Sequence, residues 1–431
     1  MATLLSISNT LAAQTKELSL AEAITTAKTN NMDLKLSQLQ QQYTQADAEK
    51  MQNIYQPQVA LSATGMMTNV PLNAFGSRLQ QGSLVQEDFI PASLNNPTSL
   101  TNLNAQLSIQ QPIYNKDAVV YRDIMQDMAK AAEYQSIRVE YVINHNIELL
   151  YRQLQLTTEA MTVLAKAKTT AEANLKLVND NYEVGYAPYA DVLAVELRIS
   201  EIETDISQQE KNINAISNQL NYIMGTENGI IYTPSDALHE DISIESITDI
   251  PTDRSDYLAW EEQLKASEKN IKAKEYAIAP RVNAFASYEL NERMDFSHGQ
   301  HGYLLGVQAS WTIYDGKKTE YETQKARIQL EQAQTAYSKT RSHDEMQLSA
   351  AKDRYSQAKT LLLSAEKSIK SAQEVLRIRQ DRVAEGLEKV TDLLTAETQL
   401  SAAQMKKITA LYQQHIALSE INMLTESNLS E

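Results

Sequence analysis

Apolar and polar residues alternate in four short stretches of this chain and recur with helical spacing almost everywhere else. Val282, Ala284, Ala286, Tyr288 and Leu290 fall on one side of an extended backbone and Arg281, Asn283, Ser287 and Glu289 on the other, with Phe285 the exception. Tyr303, Leu305, Val307, Ala309, Trp311 and Ile313 alternate in the same sense, as do Leu103, Ala105, Leu107, Ile109 and Ile113. The run Val59, Leu61, Ala63, Gly65, Met67 is the weakest of the four. A period of two with one wet and one apolar side predicts strands over about 58–68, 103–114, 281–291 and 303–314. Each is close to the 9–11 residues that a tilted strand needs to cross a bilayer.

Helical patterning fills the remainder. Neither proline nor glycine occurs from Lys116 to Glu183 or from Lys317 to Glu385. At 1.5 Å per residue each stretch reaches roughly 100 Å if unbroken, far beyond the usual globular helix. Ala351, Tyr355, Ala358, Leu362, Ala365, Ile369, Ala372 and Leu376 alternate steps of four and three, a heptad seam of large and small apolar residues. Met161, Leu164, Ala171 and Leu175 continue this coiled-coil pattern earlier in the chain, with Lys168 interrupting it. Such seams suit antiparallel helix pairs, and equally a wall of helices laid side by side.

The elements are written twice. A Gly-x5-Asp-x-Leu-x-x-Glu string occurs as Gly185, Asp191, Leu193, Glu196 and again as Gly386, Asp392, Leu394, Glu397, displaced by 201 residues. Leu107–Asn115 answers Val307–Asp315 at a displacement of 200, and Pro57 answers Pro280 at 223. The excess in the first copy falls in the Gly-, Pro-, Asn- and Ser-rich stretch from Asn69 to Asn102, which reads as a loop. Each copy thus runs helix, strand, strand, long helix, sharp reversal, helix. The boundaries expected are 18–224 and 256–431 for the two repeats, with reversals at about 184–192 and 385–393. An irregular linker over 225–255 with a short helix or strand in it joins them, and its acidic run from Glu240 to Asp249 reads as a solvated surface. Ser19 and Glu22 have capping-box spacing at the start of the first repeat. Residues 1–17, with the mildly apolar Leu4–Ala13 and no basic residue before Lys16, read as a signal-peptide remnant or a disordered terminus.

Composition narrows the class. No apolar run approaches 18 residues at a mean hydropathy of −0.42, so any membrane crossing falls to the strands. A net charge of −16 and an isoelectric point near 5.0, with no basic cluster, argue against nucleic acid. The absence of cysteine removes disulfides, thiolate sites and a lipidatable cysteine. Asp295, His298 and His301 stand at intervals of three, but a polar turn between two strands accounts for them better than a metal site. No phosphate-binding loop or nucleophile elbow appears, so no catalytic site and no cofactor are expected.

Four amphipathic strands cannot close a sheet, and an edge open to lipid would leave unpaired backbone groups costing several kcal/mol each. Three copies would supply twelve strands and one closed barrel. The competing reading is a soluble coiled-coil scaffold whose alternating segments are ordinary hairpins.

The residues that carry the repeats resemble those of the TolC-type outer-membrane efflux proteins. The resemblance spans nearly the whole chain, from Leu18–Ile24 to the last helix, and is most specific at Gln111-Pro112-Ile113-Tyr114-Asn115, Trp311-Thr312-Ile313-Tyr314-Asp315-Gly316 and the two reversals. It implies a mainly α protomer with a small membrane β portion, assembled as a homotrimer with a twelve-stranded barrel in the outer membrane of a Gram-negative bacterium and a periplasmic helical tunnel. The implied role is a passive exit duct of an efflux or type I secretion system, coupled through a periplasmic adaptor protein to an inner-membrane pump of the RND, ABC or MFS type. In the family a Val-Gly-Leu-like turn at each tip meets the adaptor. Val184, Gly185 and Tyr186 match it, followed by Asp191; in the second copy Gly386 and Leu387 match, while Glu385 replaces the valine. Some members narrow the pore with two acids three residues apart near the second tip. Asp392 matches the first and Thr395 stands at the second, which implies a single ring of three aspartates.

Overall fold

The computed structural model of the chain describes residues 14–240, 249–297 and 299–427. In chain order the elements are β1 (Gln14–Leu18), α1 (Leu20–Asn30), α2 (Met32–Gln52), β2 (Gln58–Thr68), α3 (Pro71–Gln80), α4 (Pro91–Asn95), β3 (Leu100–Asn115), α5 (Lys116–Glu183), α6 (Tyr189–Met224), β4 (Ile230–Pro234), α7 (Ser255–Glu275), β5 (Arg281–Glu292), β6 (Gly299–Ser310), α8 (Lys318–Ala384) and α9 (Val390–Thr425). They form two compact units. One takes the described residues of 1–40, 133–259 and 337–431, the other those of 41–132 and 260–336. Among the described residues no helix is long and apolar enough to cross a membrane.

The second unit holds a four-stranded antiparallel sheet in the order β2-β3-β5-β6. Its register sorts the two faces across every strand. Val59, Ile109, Ala286 and Leu305 stand in one row, and Leu61, Leu107, Tyr288 and Tyr303 in the next row of the same face. Ser62, Gln106, Glu289 and Gly302 form a row on the opposite, polar face. Because a slip of one residue would invert a strand, this agreement over four strands fixes the pairing. Phe285, the residue out of pattern, lies on the polar face over Gly306, where a Cβ would come within 2.5 Å of its ring. Among the described residues nothing covers the apolar face: Val59, Leu61, Leu305 and Val307 are all exposed.

Two expectations shift. The last strand occupies Gly299–Ser310 rather than 303–314, because its ladder begins at Glu292↔Gly299 and ends at Arg281↔Ser310. Trp311 to Tyr314 keep the alternating pattern but lie beyond the ladder, and Asp315 then caps α8 by accepting from the Thr319 N–H (2.8 Å) and hydroxyl (2.6 Å). The 69–102 stretch is a folded insertion rather than a plain loop. Pro71 and Pro91 open α3 and α4, where a missing N–H costs nothing. The Phe75 and Phe89 rings meet edge-on at 5.7 Å, and Arg78 pairs with Asp88.

In the first unit, β1 and β4 pair in parallel from Gln14↔Ile230 to Leu18↔Pro234. The ordered chain therefore includes residues 14–17, ahead of the expected start at Leu18; residues 1–13 lie outside the described residues. Ser19 caps α1, its hydroxyl accepting from the Glu22 N–H at 3.2 Å. Leu18, Ala27, Ile147, Tyr151, Leu220 and Tyr232 join both strands to α1, α5 and α6 in one core. The Tyr151 hydroxyl donates to Asp236 at 2.6 Å. Burial first and that bond second push its pKa up to about 12.

The α8 seam is buried at Ala351, Tyr355, Ala358, Leu362, Ala365 and Leu376. On α5 the buried seam runs through Ala160, Val163, Ala167, Ala171, Asn174 and Val178, one position off the Met161 and Leu164 face expected. Lys168 thereby leaves the seam and pairs with Glu203 at 2.8 Å. The linker runs from Gly225 to Ser255. It contributes β4 and, next to its end, Arg254, a side chain 1% exposed that donates to Asp256 (2.6 Å), Asp344 and the Leu424 carbonyl (3.1 Å). Most of the acidic run, residues 241–248, lies outside the described residues.

Candidate functional site

The two reversals have one geometry. At the first, Gly185 adopts φ +82°, its N–H donates to the Tyr182 carbonyl at 3.0 Å, and the Tyr186 N–H reaches back to Asn181 at 2.8 Å. At the second, Gly386 adopts φ +71°, donates to Val383 at 3.0 Å, and the Leu387 N–H reaches Arg382 at 2.9 Å. Both are Schellman terminations, in which a left-handed residue lets two N–H groups satisfy the last carbonyls of the helix. Among the described residues nothing lies within 4 Å of where a Cβ would sit on either glycine, so it is the backbone angle that asks for glycine there.

A shared apolar cluster holds the reversals side by side. Val178, Val192 and Val195 of the first copy pack with Leu376, Val383, Val390, Leu393 and Ala396 of the second. The Asn181 amide also donates to the Val383 carbonyl at 3.4 Å. Turning these residues inward leaves the tips themselves exposed: Val184 by 64%, Tyr186 by 80% and Leu387 by 63%. Tyr182 and Tyr189 flank the first tip with ring centroids 5.5 Å apart. At the second, Glu388 is drawn in by Arg379 and by Arg382 at 2.7 Å, so this turn is braced by charge where the first is braced by rings.

Asp191 and Asp392 stand in the first turns of α6 and α9, where a carboxylate stabilises the positive end of the helix dipole. Asp392 and Thr395 are both exposed on α9, beside the buried Leu393 and Ala396. Thr395 turns its hydroxyl back to the Thr391 carbonyl at 2.8 Å.

The last position of the repeated motif splits the copies. Glu196 is exposed, while Glu397 is 2% exposed, accepts from the Asn174 amide at 3.1 Å and has an Oε1 without a hydrogen-bond partner among the described residues. Burial raises its pKa above the usual carboxylate value, against the opposing pull of Asn174 and of the Arg198 charge. The sequence marks Glu397 only as the last position of the repeated string; the Asn174 partner that goes with its burial lies 223 positions away.

Among the described residues no group of three or more His, Asp or Glu gathers as a metal site. Of the loop triad, His298 lies outside the described residues. Asp295 accepts from the Ser297 N–H (3.1 Å) and hydroxyl (2.5 Å), closing a local turn, and His301 stacks on Tyr288 at 5.9 Å.

No curated protein matches the sequence. Solved structures do match in fold. The chain is similar to the CmeC outer membrane channel of Campylobacter jejuni, with a TM-score of 0.78 at 16% identity over 94% of this chain and 85% of that one. The outer membrane protein VceC of Vibrio cholerae matches with a TM-score of 0.76 at 16% identity over 94% and 95% of the two chains. A membrane protein from Pseudomonas aeruginosa matches with 0.81 at 16% identity over 94% and 93%. Identity this low shows a shared fold. The family model described as "Outer membrane efflux protein" matches residues 23–226 and 252–425, both repeats and nearly the whole chain, and the chain therefore belongs to the outer membrane efflux protein family.

Proposed function

We propose that three copies of this chain form a passive exit duct through the outer membrane of a Gram-negative bacterium. The observation that carries this reading is the open sheet. β2 and β6 sit at its two ends with no further strand of this chain beside them, among the described residues. Their directions are opposite, so β6 of one copy and β2 of the next pair antiparallel, and three copies close twelve strands. Closure satisfies every edge N–H and C=O, which lipid cannot do. The exposed apolar face then meets hydrocarbon and the polar face lines a water-filled passage.

The helical part of such a trimer stands in the periplasm and ends in the paired reversals. Val184, Gly185, Tyr186, Asp191, Gly386 and Leu387 offer the adaptor protein a surface of rigid turns with protruding side chains. An inner-membrane pump of the RND, ABC or MFS type acts through that adaptor, and the duct performs no chemistry. Asp392, with Thr395 a turn further on, sets a ring of three carboxylates where the passage narrows. A soluble scaffold, the competing reading, would leave an exposed apolar sheet face and two bare edges in water, an aggregation hazard. Reconstitution of detergent-purified protein into planar bilayers tests the duct. Stepwise conductance is expected, and protein that inserts no channel under any condition would overturn it.

A further inference from the structure

The two repeats join their strands differently. A short turn over 293–298 links β5 to β6, whereas the folded insertion over 69–99 separates β2 from β3. This insertion is anchored to the polar face of the sheet. The Gln81 amide donates at 2.8 Å to both the Thr101 carbonyl and Asn102 Oδ1, and the Asn102 and Asn104 amides both donate to Asn291 Oδ1 at 3.0 Å. Gln81, Asn102 and Asn291 are all buried. Asn104, Asn291 and Gln300 stand in one row of the ladder, two residues along each strand from Gln106, Glu289 and Gly302, and therefore on the same face. Gly82, at φ +66°, lies against Gln300, where a Cβ would come within 2.6 Å of Cγ. The insertion thus reaches from β3 to β6 across the polar side of the sheet.

α3, the longest helix of the insertion, has two unlike faces. Ala74, Ser77 and Gln81 are buried, at spacings of three and four. Leu72 and Leu79 are seven residues apart on the opposite side of the helix, 79% and 60% exposed. Because Gln81 on the first face bonds to β3, the leucines point away from the strands, into the space that the polar face borders. That wall is lined by Ser62, Gln106 and Glu289, so two large apolar side chains held out in front of it change the character of the space.

The position along the sheet is fixed by connectivity. α2 and α5 adjoin the ends of β2 and β3 at Gln58 and Asn115, and the insertion joins the opposite ends, at Thr68 and Leu100. In a closed barrel it therefore sits at the mouth away from the helices.

We infer that Leu72 and Leu79 form an apolar throat at the outer mouth of the duct, two leucines from each of three copies around one axis, and that this throat selects cargo with apolar surface over small hydrated ions. The inference rests on the duct reading above and deepens it. A narrow ring of apolar side chains sheds water, which raises the barrier to an ion that must keep its hydration shell. A solute carrying apolar surface loses nothing there, since the leucines replace the water it gives up. Gln81 and the three asparagines act as positioning residues, holding α3 over the passage while its buried face stays on the wall.

The chain lacks cysteine, so Leu79→Cys introduces one thiol per copy. Channels of this variant in planar bilayers are exposed on both sides to a bulky, neutral methanethiosulfonate reagent. The current is expected to fall in up to three steps, one for each copy, while the parent protein and Leu305→Cys, on the apolar face of the sheet, keep theirs. Leu72→Asn together with Leu79→Asn is expected to raise the conductance to small ions, because the ring then wets. A Leu79→Cys current that the reagent leaves unmoved, an equal fall for Leu305→Cys, or an unchanged conductance in the double asparagine variant would overturn the throat and leave the duct standing. Parent protein that forms no channel would remove both.

Discussion

The Asn174 amide donates to the Glu397 carboxylate at 3.1 Å, joining α5 to α9 inside the apolar cluster that holds both reversals. Because burial raises the pKa of this carboxyl, the folded chain binds a proton there more readily than the unfolded one. Its contribution to stability is fully present below the ordinary carboxylate range and is lost as pH rises through the raised native value. Glu397→Gln, which mimics the protonated form, is expected to unfold at a higher temperature than the parent at neutral pH and to lose that part of the pH dependence. Thermal unfolding followed by circular dichroism across pH 4 to 8 measures it, and identical pH profiles for the two proteins would contradict it.

Arg254 predicts a large structural effect away from any site. It is 1% exposed, and its guanidinium satisfies Asp344 and Asp256 while its NH1 group holds the Leu424 carbonyl at the end of α9. Removing one partner of a buried pair strands the other, at about 3–5 kcal/mol. Arg254→Met is expected to cost stability of that order in chemical denaturation. Adding Asp344→Leu is expected to recover part of it, since the more buried of the two stranded carboxylates is then gone.

Tyr186 and Leu387 protrude from the two reversals while the cluster beneath them is complete without them. Tyr186→Ala together with Leu387→Ala is expected to weaken capture of the adaptor protein at least tenfold, about 1.4 kcal/mol, with trimer assembly unchanged. Pull-down with the adaptor alongside native gels separates the outcomes. Loss of the trimer would show that these side chains pack rather than dock.

Asp392 is exposed on α9, next to the packed Leu393 and one turn before Ala396. Three such carboxylates around a narrow passage favour cations, so Asp392→Asn is expected to lower cation selectivity in planar-bilayer recordings. Unchanged reversal potentials in a salt gradient would place the ring elsewhere.

Most of the fold could be read from the sequence because strand and helix leave different periods. The rows Val59–Ile109–Ala286–Leu305 follow from simple alternation, and the two Schellman turns from a glycine followed by an aspartate six residues on. The errors have physical causes. Trp311 and Ile313 alternate as a strand would, yet the ladder ends at Ser310, because pairing is decided by the partner strand. Lys168 interrupted an expected seam that in fact runs through Ala167, one position away. Arg254 and Glu397 carry no local mark of their burial, since the Leu424 carbonyl and the Asn174 amide that meet them lie 170 and 223 positions away.

Native mass spectrometry of the detergent-solubilised protein tests the open sheet most directly, since one chain of 48.3 kDa holds four of the strands that a closed barrel needs. Particles of three chains, losing their subunits only when the detergent is made denaturing, are the expected result. A stable single-chain particle that stays in solution without detergent would contradict it.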